Sequence, residues 1–358
     1  MNTSHYDVIV IGAGQAGLAV GHYLAQQGRR FTILDAAAAP AAAWRERWDS
    51  LRLFTPTRFD SLPGKPFTGD PDHYPTRDEL VAYLTDYASD LPVQLNSRVR
   101  ALRRHAGCYA VELENRTYTA DQVVVATGPF QTPRVPAIAS GLPPDIAQFH
   151  STAYRNPAQV AEGPVLVVGG GNTGYQIAEE LAGSHDVHLS VGSRQKPMPQ
   201  RILGRDVFRY LNALGALTKT ADTRIGRRMK DGDTLVGSSP RRARKQGVQL
   251  RPRTTHVSGS TISFADGTQI EASTVIWATG FTRDYAWIDA PISDADGAVI
   301  QQRGVTPAAG LYFLGLPWMH SRGSALLGWV KDDAAHVAAH IAANATRPGT
   351  PNTLDLAA

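Results

Sequence analysis

The sequence predicts an α/β protein made of two similar three-layer domains, and three observations carry this prediction. First, an apolar run, a glycine-rich turn and a helical pattern follow one another at 7–28, and the same succession returns at 164–181. Second, each copy continues into a strand-rich meander whose last strand ends in Ala-Thr-Gly. Third, strands alternate with helices in both copies, which favours parallel sheets covered on both faces. The chain therefore contains an internal duplication, which spans 12–128 and 169–280.

The first strand–turn–helix–strand unit occupies 7–35. The apolar DVIVIG predicts a strand, LAVGHYLAQQG has helical spacing, and FTILD predicts the next strand. Gly12, Gly14 and Gly17 fit G-x-G-x-x-G, whose glycines permit a tight turn, the approach of a pyrophosphate and close packing of helix on strand. Asp35 ends the second strand, where a ribose-binding carboxylate belongs. We therefore expect a Rossmann-like dinucleotide site, with phosphates at the helix N-terminus.

The rest of the first copy supplies one helix and one buried strand. The stretch 76–89 predicts a helix, because Thr76 and Glu79 form a capping box at its start. A meander then leads to a buried strand at 122–126, and a proline-rich link at 129–164 connects it to the second copy.

The second turn repeats the first but has a different companion. Gly169, Gly171 and Gly174 fit the same motif after an apolar strand. The position that corresponds to the first acid holds a glycine, followed by Ser193 and Arg194. A carboxylate there would bind the 2′-hydroxyl of NAD and repel a 2′-phosphate, whereas a guanidinium favours the phosphate. The sequence therefore favours NADPH, with tolerance of NADH, over the alternative that Arg194 is only a solvent-exposed cation.

Further elements follow the second turn. We expect a strand at 186–191, a helical and basic stretch at 197–235, a short strand at 310–315 and a terminal helix at 324–345. The tail from Arg347 is predicted to be disordered.

Composition excludes several classes of protein. Hydrophobic residues make up 42% and charged residues 19%, as in a globular chain with a sizeable core. No apolar run could span a membrane and the first strand starts too early for a signal peptide, so we expect a cytoplasmic protein without membrane contact. The single cysteine, Cys108, excludes a CxxC redox pair.

Charge and histidine spacing exclude two kinds of ligand. Basic residues crowd between 194 and 253, but no motif that reads nucleic acid accompanies them, so we expect no nucleic-acid partner. His336 and His340 have helical spacing but lack a third metal ligand, so we expect no metal site.

Two dinucleotide sites in one chain indicate a hydride relay, from a nicotinamide in the second turn to FAD in the first, because flavin accepts hydride. Several further motifs stand out: GAGQAG, WRERWDSLRLFTP, YPTRDELVAYL, ATGPFQTPRVP, FHSTAYR, GGGNTG and ATGF. Through them the chain resembles the flavin-containing monooxygenases, in particular short bacterial single-component class B flavoprotein monooxygenases, over about 5–340. His150 and Tyr154 keep half of that family's fingerprint, while Pro144 and Ile146 stand in place of its upstream Phe and Gly.

The resemblance implies an FAD domain at 1–158 and 281–358, with an NADPH domain at 159–280 inserted in it. It also implies that NADPH reduces FAD and that a flavin C4a-hydroperoxide passes one oxygen atom of O2 to a thioether, an amine or a ketone. The partners would be a small-molecule substrate and O2, and the chain could form a homodimer. Two alternatives remain open: an NAD(P)H-dependent flavin reductase or oxidase without productive oxygen transfer, and a non-enzymatic redox-sensing flavoprotein.

The resemblance implies roles for single residues too. Besides the glycines, Asp35, Ser193 and Arg194, cofactor contacts would come from Gln15, Trp44, Arg45, Trp48, Leu53, Val99, Thr127, Gly128, Asn172, Thr173, Thr279 and Gly280. Catalytic contacts would come from Asn172, Phe54, Thr55 and His320, while His150 would fix the hinge between the domains. One departure concerns the chemistry directly: LFTP offers Phe54 and Thr55 where many members have an Asn beside the flavin ring.

Overall fold

A computed structural model describes residues 4–105, 107–230 and 234–345, in which one mixed sheet and one parallel sheet are packed with helices. The strands, numbered in chain order, are β1 (His5–Ile11), β2 (Phe31–Leu34), β3 (Val93–Gln94), β4 (Ala101–His105), β5 (Cys108–Glu112), β6 (Thr117–Val125), β7 (Thr132–Pro133), β8 (Ala147–His150), β9 (Val165–Val168), β10 (Val187–Ser190), β11 (Lys196–Met198), β12 (Arg201–Ile202), β13 (Arg205–Asp206), β14 (Thr234–Val236), β15 (Gln249–Arg251), β16 (Thr254–Ser258), β17 (Thr261–Phe264), β18 (Gln269–Glu271), β19 (Thr274–Trp277), β20 (Phe281–Thr282), β21 (Ile288–Asp289) and β22 (Leu311–Phe313). The helices are α1 (Gln15–Gln26), α2 (Ala42–Arg45), α3 (Arg77–Ala88), α4 (Asn172–Leu181), α5 (Val207–Ala213), α6 (Arg224–Lys230), α7 (Pro240–Lys245) and α8 (Val330–Asn344). Within these ranges no helix combines the length and the hydropathy that a bilayer crossing requires. The tail from Arg347, predicted to be disordered, lies outside the described residues.

The first sheet has the strand order β21-β4-β5-β6-β1-β2-β3, and β22 pairs with the end of β6. The pairs β22–β6, β6–β1, β1–β2 and β2–β3 are parallel, while β4, β5 and β6 form an antiparallel meander. Alternate residues of β1 enter two different cores: Val8 and Val10 pack with α1 and α8, and Ile9 and Ile11 pack on the opposite face. Because side chains alternate along a strand, the sheet is covered on both faces. The predicted α/β class is confirmed.

The second sheet repeats this plan on a smaller scale. Its strand order is β15-β10-β9-β19-β8, and every pair is parallel. Val165 and Val167 of β9 pack in one core with α4, and Leu166 and Val168 pack in another. A separate antiparallel sheet, β16-β17-β18, corresponds to the meander of the first copy.

The chain leaves the first sheet and later returns to it. β8 pairs with β19 of the second sheet, although it precedes the predicted domain boundary at 159. β21 and β22 come after the second sheet in the sequence, yet they pair with β4 and β6 of the first. The segment that forms the second sheet is therefore inserted in the sequence between strands of the first sheet. The positions of the domain boundaries stay a prediction.

The stretch 197–235 differs from the helical segment that was expected. It contains β12 and β13, most of β11, the beginning of β14 and two seven-residue helices, α5 and α6. Pro197 and Pro199 interrupt any helical hydrogen-bond ladder, and Gly204 turns the β12–β13 hairpin at φ +76°. β11 also pairs in parallel with β14, although a helix was expected there. A local sequence pattern does not reveal this pairing, because it joins residues that are far apart in sequence.

Two helix starts differ in how well the sequence predicts them. α3 begins as expected: Thr76 Oγ1 accepts a hydrogen bond from Glu79 N, and the Glu79 carboxylate accepts one from Thr76 N. α8 begins at Val330, six residues later than predicted. A Cβ on Gly328 would lie 1.5 Å from the Phe59 carbonyl oxygen, so the preceding segment lies directly on another backbone. That long-range contact is invisible in a local pattern.

Candidate active site

The first glycine turn joins β1 to α1 and leaves no room for a side chain at two of its three glycines. Gly12 has φ +110°, and a Cβ there would lie 2.6 Å from the Ala126 carbonyl oxygen. A Cβ on Gly17 would lie 1.9 Å from the carbonyl oxygen of Gly12. Gly14, the N-cap of α1, has no atom within 4 Å of its Cβ position. A phosphate can therefore approach the first-turn N–H groups of α1, which have no intrahelical partners.

Asp35 follows β2 and lies against this turn. Its Oδ2 accepts a hydrogen bond from Ala13 N at 2.6 Å, and its Oδ1 accepts one from Ala37 N at 2.8 Å. A carboxylate has about four acceptor sites, so a ribose hydroxyl can still donate to it. Asp35 thus orients the turn and remains available to a ligand.

The second glycine turn has the same geometry. Gly169 has φ +133°, and a Cβ there would lie 2.1 Å from the Ala278 carbonyl oxygen. A Cβ on Gly174 would lie 1.9 Å from the Gly169 carbonyl oxygen, while the position of Gly171 is open. Ala278 directly follows β19 as Ala126 directly follows β6, so the duplication extends to single atomic contacts.

Cations replace the acid beside the second turn. Ser193 and Arg194 follow β10 and are exposed. Arg253, which follows β15, donates from Nη2 to the Gly192 carbonyl oxygen at 2.9 Å. Sequence reasoning missed Arg253 because it lies far along the chain. β10 and β15 are parallel neighbours, however, so their carboxyl ends meet at one edge and bring a second cation to the loop that carries Arg194.

Asn172 is the first residue of α4, and both ends of its amide are engaged. Nδ2 donates to the Thr234 carbonyl oxygen at 2.9 Å, and Oδ1 accepts from Val236 N at 2.8 Å. These bonds hold β14 over the second turn. One N–H and one acceptor site of the amide remain available to a ligand. The structure therefore assigns Asn172 a positioning role, and its catalytic contact stays a prediction, as does the cofactor contact of the half-buried Thr173.

An apolar cluster collects side chains from four distant parts of the chain. We call it the bridging cluster; it consists of the buried Val207, Phe208, Leu217, Val236, Leu326 and Trp329, with Phe54, Phe59, Met198, Leu211 and Met229 packed against them. The rings of Phe54 and Phe208 stack with their centres 5.7 Å apart, and those of Phe59 and Trp329 stack at 5.6 Å. These two stacks join the segment of Phe54 and Phe59 to the segments of Phe208 and Trp329.

Hydrogen bonds connect the bridging cluster to both glycine turns. Gln15, in the first turn, donates from Nε2 to the Ala325 carbonyl oxygen at 3.1 Å, next to Leu326 of the cluster. Asn172, in the second turn, binds Val236 of the cluster. The cluster is thus attached to the N-termini of α1 and α4. The predicted catalytic residue Phe54 belongs to it.

Thr55 is 5% exposed and donates a hydrogen bond to Asp60 Oδ1 at 2.6 Å. Asp60 is fully buried, and among the described residues its Oδ2 has no hydrogen-bond partner. Burial above all, and then the charge of Asp206, raise the pKa of Asp60 to about 7, against the opposing effect of the Thr55 bond. Sequence reasoning missed Asp60, because a single acid in a proline-rich loop follows no pattern.

Asp206 links the stretch 197–235 to the segment that contains Tyr74, 132 residues earlier in the chain. Its Oδ1 caps α5 by accepting from Phe208 N at 2.7 Å, and its Oδ2 accepts from Tyr74 Oη at 2.6 Å and from Gln200 Nε2 at 2.7 Å. Gln200 Nε2 also donates to the Phe54 carbonyl oxygen at 2.8 Å. This network holds the ring of Phe208 over Phe54.

His320 lies near the carboxyl-terminal part of the bridging cluster, where its backbone N donates to Ser324 Oγ at 3.1 Å. Burial chiefly, and then the charge of Arg303, lower the pKa of His320, although Asp333 and Asp222 oppose the shift. The ring is therefore neutral at pH 7, so one of its nitrogens can accept a hydrogen bond.

The other predicted FAD contacts are spread over the molecule. Trp44 packs against the cores of both sheets, and Leu53 packs against the α1–α8 core. Val99 packs on the opposite face of the first sheet, and Trp48 is buried in a core of the second. Arg45 is exposed. The described contacts do not bring these five residues together, and their cofactor contacts stay predictions.

Thr127, Gly128, Thr279 and Gly280 follow the two Ala-Thr-Gly strands, where the chain crosses between the sheets. β7 and β20 pair there as a short antiparallel ribbon. His150 Nε2 lies 3.0 Å from the Gly280 carbonyl oxygen, which fits the hinge role that the sequence suggests. The ribbon fixes the ends of both strands relative to each other.

Metal ligands are not assembled in the part of the chain that the structure describes: no three His, Cys, Asp or Glu side chains are arranged for a metal ion. His340 Nδ1 lies 3.2 Å from Tyr312 Oη and 2.8 Å from Asn344 Nδ2.

Comparisons with known proteins agree with this geometry. The family model for pyridine nucleotide-disulphide oxidoreductases matches residues 9–210. An uncharacterized oxidoreductase named CzcO-like, from Geobacillus kaustophilus (strain HTA426), is 46% identical over 336 residues, which cover 92% of this chain and 97% of that protein. The solved flavin-containing monooxygenase from Stenotrophomonas maltophilia matches with a TM-score of 0.80 and 29% identity, over 95% of this chain and 99% of that one. The probable indole-3-pyruvate monooxygenase YUCCA1 of Arabidopsis thaliana is 28% identical over 315 residues, which cover 76% of this chain and 75% of that protein.

Proposed function

Because the chain belongs to the pyridine nucleotide-disulphide oxidoreductase family, and within it to the flavin-containing monooxygenases, we propose that it transfers one oxygen atom of O2 to a thioether, an amine or a ketone. The enzyme depends on FAD and NAD(P)H. FAD would lie on the Gly12 turn, with its ribose on Asp35, and NADPH on the Gly169 turn. Bound flavin supplies the chemistry, since it accepts hydride and reacts with dioxygen.

One observation carries the proposal: both glycine turns are hydrogen-bonded at the same bridging cluster, Gln15 to Ala325 beside Leu326 and Asn172 to Val236. Two dinucleotides held this way would have their reactive ends near one apolar wall. Water is excluded from such a wall, which suppresses wasteful hydrolysis and proton leakage. The protein then contributes by binding and orienting the cofactors and the substrate and by excluding water from them. This agrees with the lack of any catalytic triad motif in the sequence.

The same cluster favours a neutral, apolar substrate. Its members are all hydrocarbon, aromatic or thioether side chains. A charged substrate would lose its hydration there without an ionic partner in the cluster, which is costly. Neutral thioethers and ketones avoid that cost, and amines would enter unprotonated.

Disulfide reduction, which the family name includes, does not suit this chain. Cys108 is the one cysteine of the sequence, so an intramolecular dithiol cannot form.

The test is a product balance on the purified holoenzyme with NADPH, O2 and a dialkyl sulfide, with a cyclic ketone in parallel. We expect sulfoxide or ester in step with NADPH consumed. The matched control is Gly171→Ala, which should bind FAD but use NADPH poorly. NADPH consumed with hydrogen peroxide as the sole product for every substrate would indicate a reductase or oxidase. Tightly bound FAD without NADPH turnover would indicate a redox sensor.

A further inference from the structure

Asp60 and Thr55 form a buried hydrogen-bonded pair, next in sequence to Phe59 and Phe54 of the bridging cluster. Asp60 Oδ1 lies 2.6 Å from Thr55 Oγ1, and Phe59, next to Asp60, stacks on Trp329. A Cβ on Gly328 would lie 3.5 Å from Asp60 N, so the chain near α8 covers this backbone closely. Asp60 has no exposed surface, and its second oxygen is without a partner among the described residues.

The protonation state of Asp60 sets the direction of this hydrogen bond. An ionised carboxylate has acceptors alone, so the Thr55 hydroxyl must donate to it and offers other groups only lone pairs. In the neutral acid the proton belongs on Oδ1, because an O–H on Oδ2 would have no acceptor. Asp60 then donates, and the Thr55 O–H becomes free to donate elsewhere.

We propose that Asp60 is a positioning residue that decides, by carrying or lacking a proton, whether the Thr55 hydroxyl donates or accepts toward the reacting groups. The inference rests on the proposed function and on the family resemblance, by which Phe54 and Thr55 stand where many members have an Asn beside the flavin ring. A donor there would hydrogen-bond the reacting oxygen, and an acceptor would not. Oxygen transfer should therefore be efficient at low pH and uncoupled at high pH.

The groups that face Asp60 support a titration in the neutral range. Asp206, the last residue of β13 and the N-cap of α5, raises the pKa of Asp60 by its charge. Tyr74 donates to Asp206, and Tyr83 of α3 interacts electrostatically with Asp60. The segment before α8 contributes Gly328 and the ring of Trp329, neither of which is charged. Burial and Asp206 together bring the pKa of Asp60 to about 7.

The first test measures sulfoxide formed per NADPH from about one pH unit below to about one above that pKa. We expect coupling in the wild type to fall about tenfold, the typical effect of one strong hydrogen bond. Asp60→Asn should keep the low-pH coupling throughout, because the amide always offers a donor. Thr55→Val should show the high-pH coupling throughout, and Thr55→Ser should restore the wild-type profile. Thr57→Val is the matched control: Thr57 is equally buried but donates to the His73 carbonyl oxygen, so the profile should not change.

The second test does not depend on turnover. Infrared difference spectra of the protein without FAD should show a carboxylic C=O band that disappears as the pH rises through about 7 and is missing in Asp60→Asn. Thr55→Val should shift this transition to higher pH, since the Thr55 bond lowers the pKa of Asp60. A wild-type coupling profile in Asp60→Asn, or a band unaffected by that substitution, would overturn the inference and leave the proposed function intact. Absence of oxygenated product at every pH would instead overturn the proposed function, while the infrared band still reports on Asp60.

Discussion

The two glycine turns share one backbone geometry, but the side chains that stand beside them have opposite charges. In each, a Cβ on the last glycine would lie 1.9 Å from the carbonyl oxygen of the first, and a Cβ on the middle glycine would meet nothing. Beside the first turn stands Asp35, and beside the second stand Arg194 and Arg253. The comparison separates two tasks. The glycine turn admits a pyrophosphate, while the residue at the end of the next strand selects between a ribose 2′-hydroxyl and a 2′-phosphate.

The strongest test of the shared geometry is Gly17→Ala beside Gly174→Ala. Each Cβ would collide with a carbonyl oxygen that cannot move without displacing the turn. We expect each substitution to lower the free energy of unfolding by more than about 4 kcal/mol, the range of exceptional single substitutions. Urea unfolding without cofactors measures this. A small loss at either position would mean that the two turns are less alike than their geometry indicates.

A second test compares the buried acids of the two halves. Asp60 of the first half has a pKa of about 7, against 3.8 for a free side chain, so the folded state binds the proton more tightly. Folded stability should therefore fall as the pH rises from about 4 to about 7, by about 4 kcal/mol in all, and then level off. Asp60→Asn should remove this decline.

Glu179 of the second half is the control. Burial raises its pKa as well, but hydrogen bonds from Ser238 and Arg242 oppose the shift. Glu179→Gln should therefore change the pH dependence less than Asp60→Asn does. Equal slopes in wild type and Asp60→Asn would show that Asp60 does not titrate in this range.

A third test distinguishes folding from ligand approach. Gly14→Ala and Gly171→Ala place a methyl group where no protein atom lies, so the cofactor-free protein should change in stability by less than about 1 kcal/mol. The methyl group would instead meet a pyrophosphate. We expect a loss of up to about 100-fold in FAD affinity for Gly14→Ala and a similar rise in KM for NADPH for Gly171→Ala. If both substitutions weakened FAD alone, the second turn would not be the NADPH site.

The smallest expected effects concern the two cations beside the second glycine turn. Arg194→Ala and Arg253→Ala should each raise KM for NADPH about tenfold, because each would remove one charge-assisted contact to a 2′-phosphate. NADH lacks that phosphate, so its KM serves as the internal control. Equal effects on both nucleotides would assign these cations to the shared pyrophosphate instead.

Local patterns predicted the parts of the fold that local contacts determine. The capping box of α3, the two turns and their flanking strands lie where the sequence indicates, because each depends on neighbours within a few residues. The stretch 197–235 was predicted wrongly as helical, since β11 pairs with β14 and Asp206 binds Tyr74, which lies 132 residues away in the sequence. The domain boundaries, the individual site residues and a homodimer stay predictions.

The sequence by itself determined the two glycine turns and placed Asp35 beside the first and Arg194 beside the second, because glycine spacing and the end of a strand are local properties. Tertiary structure alone decided what the cofactors would face. Phe54, Phe208, Val236 and Trp329 come from segments that are separated in sequence, and they meet in one apolar cluster of the folded protein. Burial in that assembly, and the approach of Asp206, turn Asp60 from an ordinary acid into one that titrates near neutral pH. Desolvation depends on every segment that covers a group, so no single stretch of sequence contains it.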